Sequence, residues 1–155
     1  MTITAPVPGL ERAFEVDAAL GPLEDHGMTR AGHRRVVPIA SGLVTGMFDA
    51  QILPGGADWQ LVRPDGTIEI DTRYSARTAA GEFVHFRTSG VRSGPPDKLE
   101  ALLRGEFVDP SEYYFRVTVR LETSAPRLAV LERSIFVASA IREADRVSYT
   151  AYRIT

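Results

Sequence analysis

Residues 58–77 read DWQLVRPDGTIEIDTRYSAR, and this stretch decides the fold class. The dipeptide Asp65-Gly66 separates two segments rich in strand-forming residues, which is the strongest local hairpin signal in the chain. In the second segment Ile70, Thr72 and Tyr74 alternate with charged and polar residues, as the period of two in a strand requires. The stretch therefore predicts two antiparallel strands joined by a tight turn.

Strand chemistry continues on both sides of this hairpin. Glu11–Asp17 predicts a first strand, and the charged, Gly- and Pro-containing stretch Gly21–Gly32 predicts a long loop. Pro38 should place its apolar run at an edge or a bulge, because proline cannot donate to a sheet. A second turn is predicted over residues 79–82. Three later segments return to strand composition: YYFRVTVRLET, RLAVLERSIFVASAIR and VSYTAYRIT.

One short helix interrupts the strands. Leu99 and Leu102 have helical spacing, Asp97 is a candidate cap and Gly105 a candidate stop, which together predict a helix over Pro96–Arg104. About eight to ten short strands with one brief helix favour a closed or nearly closed antiparallel barrel over a sandwich. We expect a flexible N-terminus over residues 1–9 and a single all-β domain over residues 10–155.

Composition excludes several classes of function. The 155 residues suit one domain, and 44% hydrophobic residues can form a proper core. A net charge of -2 gives no basis for nucleic-acid binding, and the absence of cysteine excludes disulfides and thiolate chemistry. No apolar run is long enough to span a membrane, so we expect a cytoplasmic protein.

Three strands carry arginines on one face and apolar residues on the other. The arginines on the polar faces are Arg73 and Arg77 in the first of these strands, Arg87 in the second, and Arg116 and Arg120 in the third. One interpretation is that these arginines face solvent, as charged residues usually do. The alternative reverses the barrel, so that the arginines line a polar interior and the apolar faces, such as Phe115, Val117, Val119 and Leu121, need cover from a partner. Because of that second interpretation we expect a homodimer.

Longer motifs resemble a known family. The segments HRRVVPIASG, ILPGGADWQLVRPDGTIEIDTRYSART, RTSGVRSGPP and DPSEYYFRVTVRLETSAPRLAVLERSIFVASA occur in order. With the closing strand they resemble the bacterial family DUF3237, also called UPF0311, over about residues 10–154. The resemblance implies a single antiparallel β-barrel of calycin-like appearance and supplies no family-wide activity. Glu132 stands where the family pattern has asparagine.

Asp58 and Trp59 form the leading candidate site. Gly55-Gly56 precedes them and allows backbone angles that other residues avoid, so the turn can aim both side chains. A partly buried carboxyl beside an indole has a raised pKa, whereas a nearby arginine lowers the pKa, and either outcome suits proton transfer, as an acid or as a base. We expect Asp58 to point into the barrel toward Arg73 or Arg87, which can hold a developing oxyanion. The structural alternative is an ion pair that ties a turn to its neighbouring strand.

Other candidates are weaker. His85 shares a face with Arg87 and is an acid–base group near neutral pH, although a lone histidine in a strand is usually structural. Tyr74, Tyr114 and Arg116 are candidate substrate contacts, with core packing as the alternative for both tyrosines. The three histidines have no metal-ligand spacing, and no nucleotide-binding or nucleophile motif occurs, so no metal and no cofactor are predicted.

These residues leave three functions open. The first is a cofactor-independent enzyme of the lyase, isomerase or hydratase type, which moves a proton on a small, partly aromatic or carbonyl-bearing molecule inside the barrel. The second is a protein that binds a small hydrophobic metabolite without converting it. The third is a structural role through an outer apolar face. Ionisable groups within the motifs favour the enzyme.

Overall fold

Ten β-strands form one antiparallel sheet that closes on itself in the computed structural model, which describes Met1–Thr155. The strands are β1 (Leu10–Leu20), β2 (Glu24–Thr29), β3 (Gly32–Gly46), β4 (Ala50–Ile52), β5 (Gly56–Val62), β6 (Ile68–Arg77), β7 (Phe83–Ser93), β8 (Tyr114–Glu122), β9 (Ile135–Arg142) and β10 (Arg146–Ile154). The connections contain one α-helix, α1 (Pro96–Leu103), and two 3-10 segments, Pro110–Glu112 and Pro126–Glu132. Residues 1–9 precede the first strand and have no secondary structure.

Closure comes from β1, which pairs with β10 on one side and with β3 on the other. The short β4 and the longer β5 both lie between β3 and β6, so they share one position in the sheet. Likewise β2 continues the line of β1 along the same edge of β3. The result is a closed barrel with eight strand positions, in which strands adjacent in the chain are adjacent in space. The predicted antiparallel barrel is confirmed.

The first connection differs from its prediction. Gly21–Gly32 was expected to be a loop, but β2 lies within it and pairs with the beginning of β3. β2 forms an exposed hairpin with the beginning of β3 and buries no apolar face, so its sequence has no alternation of apolar and polar residues that would predict a strand. Pro38 fits its prediction: it lies between the stretch of β3 that pairs with β1 and the stretch that pairs with β2. A missing N–H costs nothing at that break.

The two predicted turns and the helix are confirmed. Asp65-Gly66 joins β5 to β6, and Gly66 has a positive φ of 85°. The turn over residues 79–82 joins β6 to β7. Helix α1 begins at Pro96 as predicted and ends at Leu103. Asp97 lies in its first turn instead of capping it, because Pro95 occupies the cap position and no side chain caps the helix.

The arginine-bearing faces point outward. Phe115, Val117, Val119 and Leu121 are buried inside the barrel, whereas the arginines that alternate with them are exposed. The interpretation with a reversed barrel is therefore wrong, because apolar side chains fill the closed interior and charged ones remain hydrated. The homodimer was inferred from that reversed arrangement. It loses this basis and stays a prediction.

Two halves of the interior differ in chemistry. Phe14 contacts Phe48, Phe86 and Phe136 with ring centroids 5.5–6.2 Å apart, so aromatic rings fill one half. The other half contains the polar cavity described below. Helix α1 lies across that end: Leu99 contacts the turn at Gly66, and Gly105 adjoins Ala144 between β9 and β10. None of the helices has the length and apolar character needed to cross a membrane.

Candidate functional site

A cavity of about 40 Å³ lies in the polar half of the barrel. Inward-facing residues of β5, β6, β7, β9 and β10 line it, and its polar side chains include Asp58, Gln60, Tyr74, Arg92 and Arg142. By general cavity measures this space holds roughly three water molecules. It is large enough for a small polar ligand or for the polar end of a larger one.

Asp58 is the buried carboxyl of the cavity, with 8% of its surface exposed. Gln60 Nε2 donates a hydrogen bond of 2.8 Å to Oδ2, and the backbone N–H of Asp71 donates one of 3.1 Å to Oδ1. Burial raises the pKa of Asp58, against the hydrogen bonds from Gln60, Asp71 and Thr72 and the charge of Arg92. The carboxyl group is thus fixed in orientation, and its pKa is higher than that of an exposed aspartate.

Arg92 is the buried cation of the cavity and is 2% exposed. Its cross-strand neighbours are Ile68 and Phe115, and its Cζ lies 5.4 Å from the centroid of the Phe115 ring. Nε and Nη1 are both buried without a hydrogen-bond partner. Burial lowers the pKa of Arg92 to about 10, so the guanidinium is still charged at neutral pH. A charged donor group without acceptors inside a barrel is the least expected feature of this structure.

Two further arginines surround Arg92. Arg142 and Arg35 are close enough to lower its pKa, and both have lowered pKa values themselves, chiefly through burial. The backbone N–H of Arg142 donates to the hydroxyl of Tyr113 at 3.1 Å. This end of the barrel thus concentrates positive charge around one buried carboxyl.

The hydroxyl groups of Tyr74 and Tyr149 meet inside the barrel, 2.5 Å apart. Burial raises the pKa of both phenols, so both are neutral and one donates to the other. The Tyr74 ring also stacks on Phe86 at 4.7 Å between centroids. Of the two alternatives for Tyr74, core packing is what its position shows, and it contributes to the cavity wall as well.

Asp58 and Trp59 do not form a joint site. Both lie in β5, where consecutive side chains point to opposite faces, so Asp58 is inside and Trp59 is outside with 38% exposure. The indole is therefore not the cause of the raised Asp58 pKa. The preceding glycines have separate roles. Gly55 has a φ of 109°, and a Cβ on Gly56 would lie 2.4 Å from the Arg73 carbonyl oxygen.

Arg73, Arg87 and His85 come together on the outer surface. All three line an open groove with Arg120, and Arg73, Arg87 and Arg120 are directly opposite one another on β6, β7 and β8. The expectation that Asp58 points toward Arg73 or Arg87 is wrong, because those side chains lie on the other face of the sheet. The arginines that share the cavity with Asp58 are Arg92 and Arg142.

Tyr114 and Arg116 are also on the outer surface. Both line a shallow depression, and Arg116 Cζ lies 5.2 Å from the centroid of the Tyr114 ring. Neither is near Asp58. No group of three or more His, Asp or Glu side chains is arranged to hold a metal ion.

Sequence reasoning missed Arg92 and Arg142, although a signal was present. The inward face of β7 runs Val84, Phe86, Thr88 and, two steps on, reaches Arg92. On β9 the inward face runs from Phe136 through two alanines to Arg142. An arginine in register with the apolar side chains of a strand, instead of on its polar face, indicates a charge inside the barrel.

Comparison with known proteins agrees with this architecture. Residues 8–154 match the family described as protein of unknown function, DUF3237. The chain belongs to DUF3237. A UPF0311 protein of Bradyrhizobium diazoefficiens is 41% identical over 141 residues, which cover 91% of this chain and 93% of the relative.

Solved structures of similar proteins show the same fold. A conserved protein of unknown function from Rhodopseudomonas palustris has a TM-score of 0.92 at 37% identity, covering 98% of this chain and 100% of its own. A β-barrel-like protein from Acinetobacter baumannii has a TM-score of 0.86 at 36% identity, covering 99% and 100%. A protein from Penicillium herquei described as an enzyme has a TM-score of 0.72 at 20% identity over 100% of both chains, which shows a shared fold alone.

Proposed function

We propose that the cavity catalyses proton transfer on a small carbonyl-bearing molecule, with Asp58 as the acid or base and no cofactor. The observation that carries this proposal is the buried, oriented carboxyl of Asp58 in the same cavity as the buried guanidinium of Arg92. Proton transfer next to a carbonyl needs both a base and a positive group for the oxygen. These two residues supply them.

Asp58 suits the proton-transfer role for two reasons. Its raised pKa makes the carboxylate a stronger base than an exposed aspartate. Its hydrogen bonds from Gln60 and from the backbone of Asp71 hold the carboxylate in place, so little further entropy is lost in orienting it for the reaction. An exposed carboxylate has neither property.

Arg92 takes the role that the sequence suggested for Arg73 or Arg87. In the proposed step, Asp58 removes a proton from the carbon beside the carbonyl, and the C–H electron pair forms a C=C bond. The carbonyl π electrons move to the oxygen, which becomes an enolate stabilised by Arg92. In a substrate with a β,γ C=C bond, return of the proton from Asp58 to the γ-carbon shifts the double bond and completes an isomerisation. In a substrate with a leaving group on the β-carbon, departure of that group with its electron pair forms the α,β C=C bond, restores the carbonyl and completes an elimination.

A binding function without turnover is the second candidate. Of the 17 residues that line the cavity 11 are hydrophobic, which suits retention of an apolar molecule. This candidate gives no role to the unpaired donors of Arg92. The small volume of the cavity also favours a small carbonyl compound over an enclosed aromatic ring.

Hydrogen exchange tests the proposal without knowledge of the natural substrate. The purified protein is incubated in D₂O with a panel of small aldehydes, ketones and oxo acids, and loss of the α-proton signal is followed by NMR. We expect exchange above background with the wild type and with Asp17→Asn, whose carboxylate is on the outer surface. Asp58→Asn should fold and should not exchange. Equal exchange in Asp58→Asn would exclude Asp58 as the base.

A further inference from the structure

Positive charge exceeds negative charge inside the cavity. Arg92 and Arg142 both line it, and Asp58 is its only carboxylate. Arg35 adds a third nearby cation, while Asp25 and Asp145, which interact with Arg35 and Arg142, are exposed. A buried excess of positive charge is unfavourable unless an anion compensates for it.

Asp58 compensates for Arg92 only in part, through its charge and without a bond to the guanidinium. Its two oxygens accept from Gln60 and from the backbone of Asp71, and it forms no ion pair with the guanidinium. Nε and Nη1 of Arg92 are left without acceptors while more than nine-tenths buried. Unpaired charged donors in such a place are costly, which points to a ligand as their partner.

The number of acceptors follows from the shape of the guanidinium. Nε–H lies on one edge of the planar group, parallel to an N–H of Nη2, whereas Nη1 points to the other side, so the Nε edge takes two acceptor atoms side by side. The ligand therefore has at least two acceptor atoms. A space for roughly three water molecules limits it to a few heavy atoms at this point.

We propose that the cavity is specific for a small oxo acid, which binds on the Nε edge of Arg92 with one carboxylate oxygen on Nε–H and the carbonyl oxygen on Nη2–H. The proposal rests on the proposed function for the carbonyl, and it adds the carboxylate. Arginine is suited to this pairing because two parallel N–H groups on one edge of its planar group can bind two neighbouring acceptor atoms of one molecule. Arg142 supplies further positive charge at the same end of the barrel.

Oxamate is the probe for the test. It has the shape and charge of a three-carbon oxo acid but no C–H beside its carbonyl, so it reports binding when no proton can be transferred. Pyruvamide, of similar shape but uncharged, is the control, and sodium chloride matches the ionic strength. Thermal unfolding and titration calorimetry are run on the full chain. We expect oxamate to raise the melting temperature and to bind, and pyruvamide to do neither.

Two substitutions of Arg92 test whether oxamate binds through this residue. Arg92→Met and Arg92→Lys should weaken oxamate binding by roughly 10- to 100-fold, the loss expected for a charged hydrogen-bonded pair. Arg92→Lys keeps the charge and serves as the test if the methionine variant does not fold. Arg73, Arg87 and Arg120 form an outer arginine row on the surface of the barrel. Arg87→Gln, in this row, should bind oxamate like the wild type.

The outcomes separate this proposal from the proton-transfer role. Asp58→Asn that still binds oxamate but exchanges no α-proton supports both. A wild type that binds oxamate through Arg92 but shows no exchange supports the ligand class and removes the catalytic role. Equal binding of pyruvamide, unchanged binding in both Arg92 variants, or loss of binding in Arg87→Gln would overturn the oxo-acid proposal.

Discussion

The hydroxyl oxygens of Tyr74 and Tyr149 lie 2.5 Å apart in the barrel interior, where each is the other's hydrogen-bond partner. The pair joins β6 to β10 across the lumen, between strands that do not pair in the sheet. It therefore fixes the width of the barrel beside the cavity.

Removal of both hydroxyl groups should destabilise the protein by less than the sum of the two single removals. Tyr74→Phe or Tyr149→Phe leaves the partner buried and unpaired, which costs about 1–3 kcal/mol. The double variant leaves no buried hydroxyl without a partner, so its loss in free energy of unfolding should be smaller than the sum of the single losses. Urea denaturation of the three variants measures this. Strict additivity would show that the hydroxyl groups do not interact.

Asp58 should make stability fall as pH rises. Burial raises its pKa in the folded state above the unfolded value, so the folded state favours the protonated form. Its contribution is therefore fully present below the unfolded pKa and is lost as pH rises through the folded value. Asp58→Asn removes this dependence. The difference in unfolding free energy between wild type and variant, measured from pH 4 upward, should shift in favour of the variant, and a difference independent of pH would contradict the raised pKa.

Gly56→Ala should be far more destabilising than Gly55→Ala. A Cβ at position 56 would lie 2.4 Å from the Arg73 carbonyl oxygen, and neither strand can move without loss of pairing between β5 and β6. We expect a loss above about 3 kcal/mol. Gly55 has open space but a φ of 109°, so strain of about 1–2 kcal/mol is expected. Gly27→Ala, also with positive φ and open space, is the matched control in the same denaturation series.

Arg87→Gln should stabilise the fold at low salt. Arg87 lies directly between Arg73 and Arg120, and none of the three has a salt-bridge partner. Removal of the central charge relieves two like-charge contacts worth about 0.5 kcal/mol together. The gain should disappear at about 1 M salt, where screening is nearly complete. If instead the variant loses stability, the outer arginine row contributes to the fold in a way that simple repulsion does not describe.

Self-association stays a prediction that the single chain does not test. The apolar faces first invoked for a dimer are inside the barrel, but Phe83 and Ile135 are large and well exposed on its outside. Light scattering on the purified protein should give twice the 17.0 kDa mass of the chain. A 17.0 kDa particle at all micromolar concentrations would mean that the barrel is a monomer.

Local patterns predicted most of the fold. The turn at Asp65-Gly66, the helix from Pro96 and the alternation in β6 and β8 depend on nearby residues, which the sequence displays directly. The strand β2 was missed because its side chains are polar and exposed, so no periodicity marks it. Closure of the sheet was inferable only from the number of strands and from the family resemblance.

The site was harder to predict because it depends on which face of each strand is inside. Asp58 was identified correctly as a buried group of the cavity, but its partner was sought among arginines on polar faces. Arg92 is on an apolar face, where a charge is unfavourable by itself. Its presence there can be understood only once the closed barrel and its cavity are known. Residue composition and spacing reveal neither the closure of the barrel nor the space inside it.

The aromatic half of the barrel gives this family a property useful to an engineer. Phe14, Phe48, Phe86 and Phe136 lie outside the lining of the cavity, and Tyr74 is the lining residue whose ring stacks on Phe86. Substitutions at Asp58, Gln60 or Arg142 therefore leave the contacts among these four rings in place. The fold is suited to directed evolution, in which one end is diversified for new ligands while the other is held constant.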